Sequence, residues 1–268
     1  MRHTEYQGKT VAYRVEGKGE PVVLIHGFCE DSRVWEDFKF DLIEEHYRVV
    51  MVDLPGFGKS AALAEPSIDH YAGAVWAILD HLGIERSVVI GHSMGGYTAL
   101  AMLDQQPDRI LGMGLFHSHP YPDSPEKQAD RLKQVEFIER MGHQLYVKQL
   151  VPKLFSPRYV QSNPFDIDKI VHRAARFQAV GITGGLHAMI TRPDRSHVLE
   201  QARQPILFIV GQLDEAVPPD LSAAQLALPR VASIHVLPKV SHMGMFEARR
   251  PTQLVVRQFV DFCLNFAA

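Results

Sequence analysis

Val88-Val89-Ile90-Gly91-His92-Ser93-Met94-Gly95-Gly96 joins a β-branched apolar run to a serine framed by glycines. The run has the length and composition of a buried strand, and helical spacing follows from Met94 to Gln106. Glycines two before and two after the serine permit a tight, strained strand-to-helix turn. Such a turn lifts Ser93 Oγ clear of the sheet and aims the Met94 amide at the same space. A bare Gly-x-Ser-x-Gly arises by chance in roughly one chain in ten of this length, from average Gly and Ser usage. The strand before it sets this one apart from a Gly-rich helix cap.

Working outward, strand-length runs rich in Val and Ile recur at Val22–Ile25, Arg48–Val52, Ser87–Ile90, Ile110–Phe116, Ile206–Val210 and Ser233–Leu237. Helix-like stretches lie between them at Ser32–Glu45, Ile68–Leu82, Met94–Gln106, Pro219–Leu228 and Thr252–Asn265. Alternation of this kind predicts an α/β fold, a sheet covered by helices on both faces. Near the N-terminus, Glu5 to Tyr13 reads as two short strands around Gln7-Gly8-Lys9, an antiparallel edge.

About ninety residues separate Phe116 from Ile206, where a crossover needs roughly a dozen or somewhat more. The excess predicts an insertion, residues 118–200, with helices over Glu126–Met141, Gln144–Phe155 and Ile167–Ile190. The expected organisation is a core of residues 1–117 and 201–268 with a helical cap of residues 118–200. The cap carries 12 Lys or Arg against 9 Asp or Glu, so it is +3 and the remainder −6. A solvated helical surface is enough to explain that asymmetry.

The whole chain has 268 residues, 28 Lys plus Arg and 31 Asp plus Glu, a formal net charge of −3 that excludes a strongly basic, nucleic-acid-tracking surface. Cys29 and Cys263 form no disulfide framework and no zinc-ligand cluster. No run of eighteen apolar residues and no signal-like N-terminus occurs, so a cytoplasmic protein without membrane attachment is expected.

A serine hydroxyl needs a base to take its proton and a third group to hold that base. Asp214 follows the strand Ile206–Val210, and His242 follows the next strand; each sits in a loop at a strand's C-terminal end. Asp214 is also a plausible helix N-cap, and Glu215 beside it competes for the orienting role. The turn His26-Gly27-Phe28 ends another strand, and its Phe28 amide is the second candidate oxyanion donor beside Met94. His26 reads as a turn-stabilising residue, and Cys29 lacks the turn a nucleophile requires.

Taken together, His26-Gly27-Phe28, Asp53-Leu54-Pro55-Gly56-Phe57-Gly58-Lys59-Ser60, Gly91-His92-Ser93-Met94-Gly95-Gly96, Asp214 before Val217-Pro218, and Ser241-His242 resemble the serine α/β-hydrolase superfamily. The likeness spans everything but the cap. It is nearest to small bacterial carboxylesterases and enol-lactonases, Arg192-Pro193-Asp194 included. The resemblance implies the α/β-hydrolase fold: an eight-stranded, mostly parallel sheet with its second strand antiparallel and a helical cap after strand 6. It also implies hydrolysis through an acyl-serine. Haloalkane dehalogenases and epoxide hydrolases of the same scaffold carry Asp at the nucleophile position, and Ser93 sets this chain apart from them.

Two motifs mislead. Gly58-Lys59-Ser60 has Asp53 where a P-loop needs glycine, and Gly56-Phe57-Gly58 is separated from its strand, against a dinucleotide site. His117-Ser118-His119 with Asp123 is a more serious rival, since two histidines and a carboxylate can ligate a metal and activate water. The preferred reading has no metal and no cofactor. Ser93, His242 and Asp214 form the catalytic set, Phe28 and Met94 the oxyanion hole, and His117 and Tyr121 are candidate substrate contacts. Further candidates for the cavity wall are Phe137, Tyr146, Phe155, Tyr159, Phe177 and Met189. The expected partner is a small ester or lactone; the same triad also serves C–C bond hydrolysis, cofactor-free peroxidase-like chemistry, or a ligand receptor on a hydrolase scaffold.

Overall fold

The computed structural model describes residues 1–266. Its sheet contains β1 (Arg2–Tyr6), β2 (Lys9–Glu16), β3 (Pro21–Ile25), β4 (Arg48–Val52), β5 (Ser87–His92), β6 (Ile110–Phe116), β7 (Ile206–Gly211) and β8 (Ala232–Leu237). The spatial order is β1-β2-β4-β3-β5-β6-β7-β8. β2 runs antiparallel to both β1 and β4, and every later pairing is parallel. The β1–β2 turn is only Gln7-Gly8, both at positive φ (50° and 69°), the conformation a two-residue hairpin needs.

The helices are α1 (Phe40–Glu44), α2 (Ile68–His81), α3 (Met94–Gln105), α4 (Pro125–Met141), α5 (His143–Leu150), α6 (Pro157–Ser162), α7 (Pro164–Ala174), α8 (Ala179–Ile190), α9 (Ser196–Gln201), α10 (Pro219–Gln225), α11 (Gly244–Glu247) and α12 (Arg249–Phe266). α2 and α3 pack together on one face of the sheet, α1 and α12 on the other. β3 to β7 are fully buried apart from Pro21 and Arg48, which explains their unbroken apolar runs. β8, at an edge, alternates exposed with half-buried residues. Among the described residues, no helix is long and apolar enough to cross a membrane.

Three expected helices differ. Ser32–Glu45 divides into a 3₁₀ turn (Ser32–Trp35), capped by the Asp31 side chain, and the short α1. Trp35 and Phe38 meet Phe116 at 5.9 and 6.0 Å, and their three-residue spacing suits the tighter winding. Gln144–Phe155 ends as α-helix at Leu150 and continues as a 3₁₀ turn through Pro152, which has no amide to donate. Ile167–Ile190 breaks into α7 and α8, where Phe177 turns inward to meet Phe57 at 5.9 Å.

Sheet order places the chemistry. From β3 the chain moves first to β4 on one side and later to β5 on the other, so the loops leaving β3 and β5 diverge and open a crevice at their carboxyl ends. His26, Ser93, His117, Asp214 and His242 all stand at or just beyond such ends.

Candidate active site

Ser93 has φ 51° and ψ −114°, a strained conformation for a non-glycine residue costing about 1–3 kcal/mol. The glycines around it are there because nothing else fits. A Cβ at Gly91 would lie 2.2 Å from the Gly95 carbonyl oxygen, and one at Gly95 would lie 2.4 Å from that of Ile25. A Cβ on Gly96 would meet Ser118 Oγ at 2.3 Å; that hydroxyl donates to the Ser93 carbonyl (2.8 Å).

His242 Nδ1–H donates to Asp214 Oδ2 at 2.8 Å, and both residues are buried. The other oxygen, Oδ1, accepts from the Ala216 and Val217 amides, each at 2.9 Å. Burial pushes the Asp214 carboxyl up, but the neighbouring His242 and His117 outweigh it and hold it well below the usual carboxylate range. Asp214 therefore stays ionised and fixes the His242 tautomer, leaving Nε2 free for a proton. Glu215, the other candidate, makes no hydrogen bond to His242 among the described residues. The His242 amide donates to Leu154 O at 3.0 Å, and the Ser156 and Ser241 amides share the Glu247 carboxylate, tying this loop to the segment between β6 and β7.

Ser93 and His242 line one compact cavity of about 120 Å³. Phe28, Tyr97, Tyr146, Met189 and Val217 contribute its apolar wall. Neither the Phe28 nor the Met94 amide donates to any acceptor among the described residues, although both side on the turns that frame Ser93. A wider groove of 380 Å³ shares Gln134, Tyr146 and Leu150 with the cavity, and Phe137 lines it.

Other expectations fall differently. His117 does not reach the cavity: at φ 51° it turns behind the pair, with Nδ1 3.2 Å from Asp214 Oδ2, and burial lowers its pKa to about 4. Tyr121 stacks on His119 at 5.8 Å instead of lining the cavity. The three residues of the metal alternative part company. His119 accepts the Tyr121 amide at Nδ1 and meets the Tyr97 hydroxyl through Nε2, both at 3.2 Å; Asp123 pairs with Arg131 and Arg192. His117, Asp214 and His242 do bring three ligand-type atoms within 4.8 Å of one another, but the Asp214 oxygens are already engaged by His242 and two amides.

Phe155 and Phe177 are core residues and Tyr159 stacks on Phe155, whereas Tyr146 and Met189 do line the cavity that Ser93 lines. His26 is a turn residue, its Nε2 accepting from the Leu54 amide at 2.9 Å. Asp53 fills the would-be phosphate loop with its own carboxylate, which accepts the Ser32 and Lys59 amides at 2.8 Å each. Cys29 is buried, and burial with the adjacent Glu30 raises its thiol pKa well above normal, which keeps it a thiol. Sequence reasoning missed Lys127, Arg131 and Gln134, which α4 brings to the cavity, and Glu30. Their only signal was position on a polar helix and a turn.

Comparison with known proteins identifies the fold. A family profile described as alpha/beta hydrolase fold matches residues 20–248. A 2-hydroxy-6-oxononadienedioate/2-hydroxy-6-oxononatrienedioate hydrolase of a Pseudomonas species is 28% identical over 88% of this chain and 87% of its own. A thermophilic esterase from Thermogutta terrifontis superposes with a TM-score of 0.90 at 28% identity, over 97% of both chains. The enol-lactonase from Burkholderia xenovorans LB400 has the same fold, with a TM-score of 0.90 at 23% identity over 97% of this chain and all of that one.

Proposed function

The chain belongs to the alpha/beta hydrolase family, and we propose that it is a serine hydrolase that cleaves a small carboxylic ester or lactone through an acyl-serine intermediate. The observation that carries this reading is the Asp214–His242 pair opening onto the same cavity as the strained Ser93. In the mechanism, Ser93 Oγ attacks the carbonyl carbon while His242 Nε2 takes its proton. The C=O oxygen becomes an oxyanion that accepts from the Phe28 and Met94 amides, two donors left unspent by the fold. Collapse breaks the bond to the leaving group, which collects the proton from His242. Water, deprotonated by His242, then releases the acid and restores Ser93.

Residues 118–200 act in this proposal as a lid, with α4 and α5 walling the cavity. A cavity of about 120 Å³ suits an acyl group of a few carbons, with longer parts directed along the groove past Tyr146. The likeness to the Thermogutta esterase supports the ester.

One observation favours a second reading, C–C bond hydrolysis by the same residues. Lys127 and Arg131 reach the cavity, and the Pseudomonas relative is named for a dioate, a doubly anionic substrate. Fluorophosphonate labelling tests the shared mechanism: the wild type labels and Ser93→Ala does not, whereas an unlabelled wild type defeats both readings. Comparing kcat/KM across p-nitrophenyl esters of increasing length, lactones and a 2-hydroxy-6-oxo-dienoate separates the two.

A further inference from the structure

His92, the residue before Ser93, has both ring nitrogens on acceptors. Nδ1 lies 3.0 Å from Glu30 Oε2, and Nε2 lies 2.9 Å from the backbone oxygen of His242. A neutral imidazole has one N–H and can satisfy one of the two; only the imidazolium donates to both. Glu30 and His92 are each buried, so an unpaired carboxylate or imidazolium here would be costly, and each is the other's counter-ion. Glu30 Oε2 also accepts the Gly27 amide at 2.7 Å. Glycine at 27 is what lets the pair close, because a Cβ there would lie 2.7 Å from His92 Nδ1.

Three separate pieces of chain meet at this pair. Glu30 holds the turn that presents the Phe28 amide, His92 is covalently next to Ser93, and its far nitrogen holds the main chain of His242. We propose that Glu30 and His92 are positioning residues, an ionised pair that locks oxyanion turn, nucleophile and base into one register and does so only while His92 keeps both protons. The proposal rests on the assignment of Ser93 and His242 as nucleophile and base.

The surroundings favour the charged state. Burial works against protonation of His92, but Glu30, the His242 carbonyl and the Asp214 carboxylate outweigh it, and its pKa is raised. Burial likewise opposes ionisation of Glu30, yet His92, the Gly27 amide and His26 bring its pKa down. The other titratable rings near His92 are His117 and His242, at centroid distances of 6.2 and 4.9 Å. Lys127 and Arg131 stand on the same cavity, and Cys29 beside Glu30 remains a thiol. The sign follows: the lock is complete below the raised pKa of His92 and is lost as pH rises through it, because one of the two bonds then has no proton.

The test compares wild type with Glu30→Gln, a variant of the same shape without the charge, using p-nitrophenyl acetate from pH 5 to 10. Expected are a fall in kcat of ten-fold or more, KM within about two-fold, and an alkaline limb of the kcat profile displaced to lower pH by one unit or more. Wild-type kcat with an undisplaced limb in a folded Glu30→Gln overturns the proposal; so does a KM effect alone. Nitrogen-15 NMR of the histidine rings in the wild type needs neither variant nor turnover. A doubly protonated His92 at pH 7 supports the lock, and a neutral one overturns it. Since that spectrum is read independently of labelling, failure of the lock and failure of the serine mechanism are distinguishable.

Discussion

The strand-end loops and the helical segment between β6 and β7 both face Ser93, yet they are built under opposite constraints. At the strand ends backbone meets backbone: a Cβ at Gly95 would sit 2.4 Å from Ile25 O, and one at Gly211 would sit 2.2 Å from Ser241 O. There is no room for a methyl group, so the relative positions of Ser93, Asp214 and His242 are set by main chain. On the other side, α4 contributes Lys127, Arg131 and Gln134, long polar side chains from a helix that buries only Val135 and Ile138. In the proposed mechanism, fixed backbone would hold the bond-making groups, and the longer side chains of α4 would meet the substrate. Variants on the strand-end side should therefore lower kcat, and those on the helical side should move KM.

Ser93→Ala is the most severe departure, with an expected loss in kcat of about 10⁴-fold or more in a protein with an unchanged circular dichroism spectrum. Asp214→Asn comes next at about 10³- to 10⁴-fold, because an amide at Oδ2 no longer enforces the productive His242 tautomer. Retention of wild-type kcat by Asp214→Asn would shift the orienting role to Glu215. Acid is a third lever. Burial holds His117 at about 4 and His119 at about 3, below the ordinary histidine value of 6.5. Both contribute stability that is complete above 6.5 and is lost as pH falls toward those lower values, about 1.4 kcal/mol per unit for each ring. Tm should fall steadily from pH 6.5 to 4, and His119→Gln should shallow that slope in a thermal melt.

Gly95→Ala should cost about 1–3 kcal/mol through overpacking, a drop in Tm of several degrees, with kcat falling alongside. Lys127→Gln should change least: KM for an anionic ester rises several-fold, KM for a neutral ester holds, and kcat is unaltered in steady-state assays. Equal effects on both esters would mean that the helical wall does not read charge.

The same division governs what the amino-acid sequence reveals. Strand ends announce themselves, since buried parallel strands are unbroken apolar runs and their ends are punctuated by Gly, His and Asp. The placement of Ser93, Asp214 and His242 beyond strand ends was legible because each follows such a run. The wall was not. The large apolar residues of α4, Leu132, Val135, Phe137, Ile138 and Met141, all lie beyond Arg131, so nothing marks Lys127 or Arg131 as lining the cavity. Nor does a glycine or proline mark the break between α7 and α8, which comes from Phe177 meeting Phe57 across the fold. His117 misled for a local reason: strand-end position suggested an open cavity, but its positive φ swings the ring behind Asp214.

The bond from the His242 amide to Leu154 O bears on how such a protein can be recombined. Exchanging the whole helical insertion for that of another hydrolase removes the acceptor on which the His242 backbone hangs. A chimera would then need its new insertion to present a carbonyl at the same place. Swaps confined to α4 leave that anchor in place while replacing Lys127, Arg131 and Gln134 in the cavity wall, so that helix can be exchanged without unhooking the His242 loop.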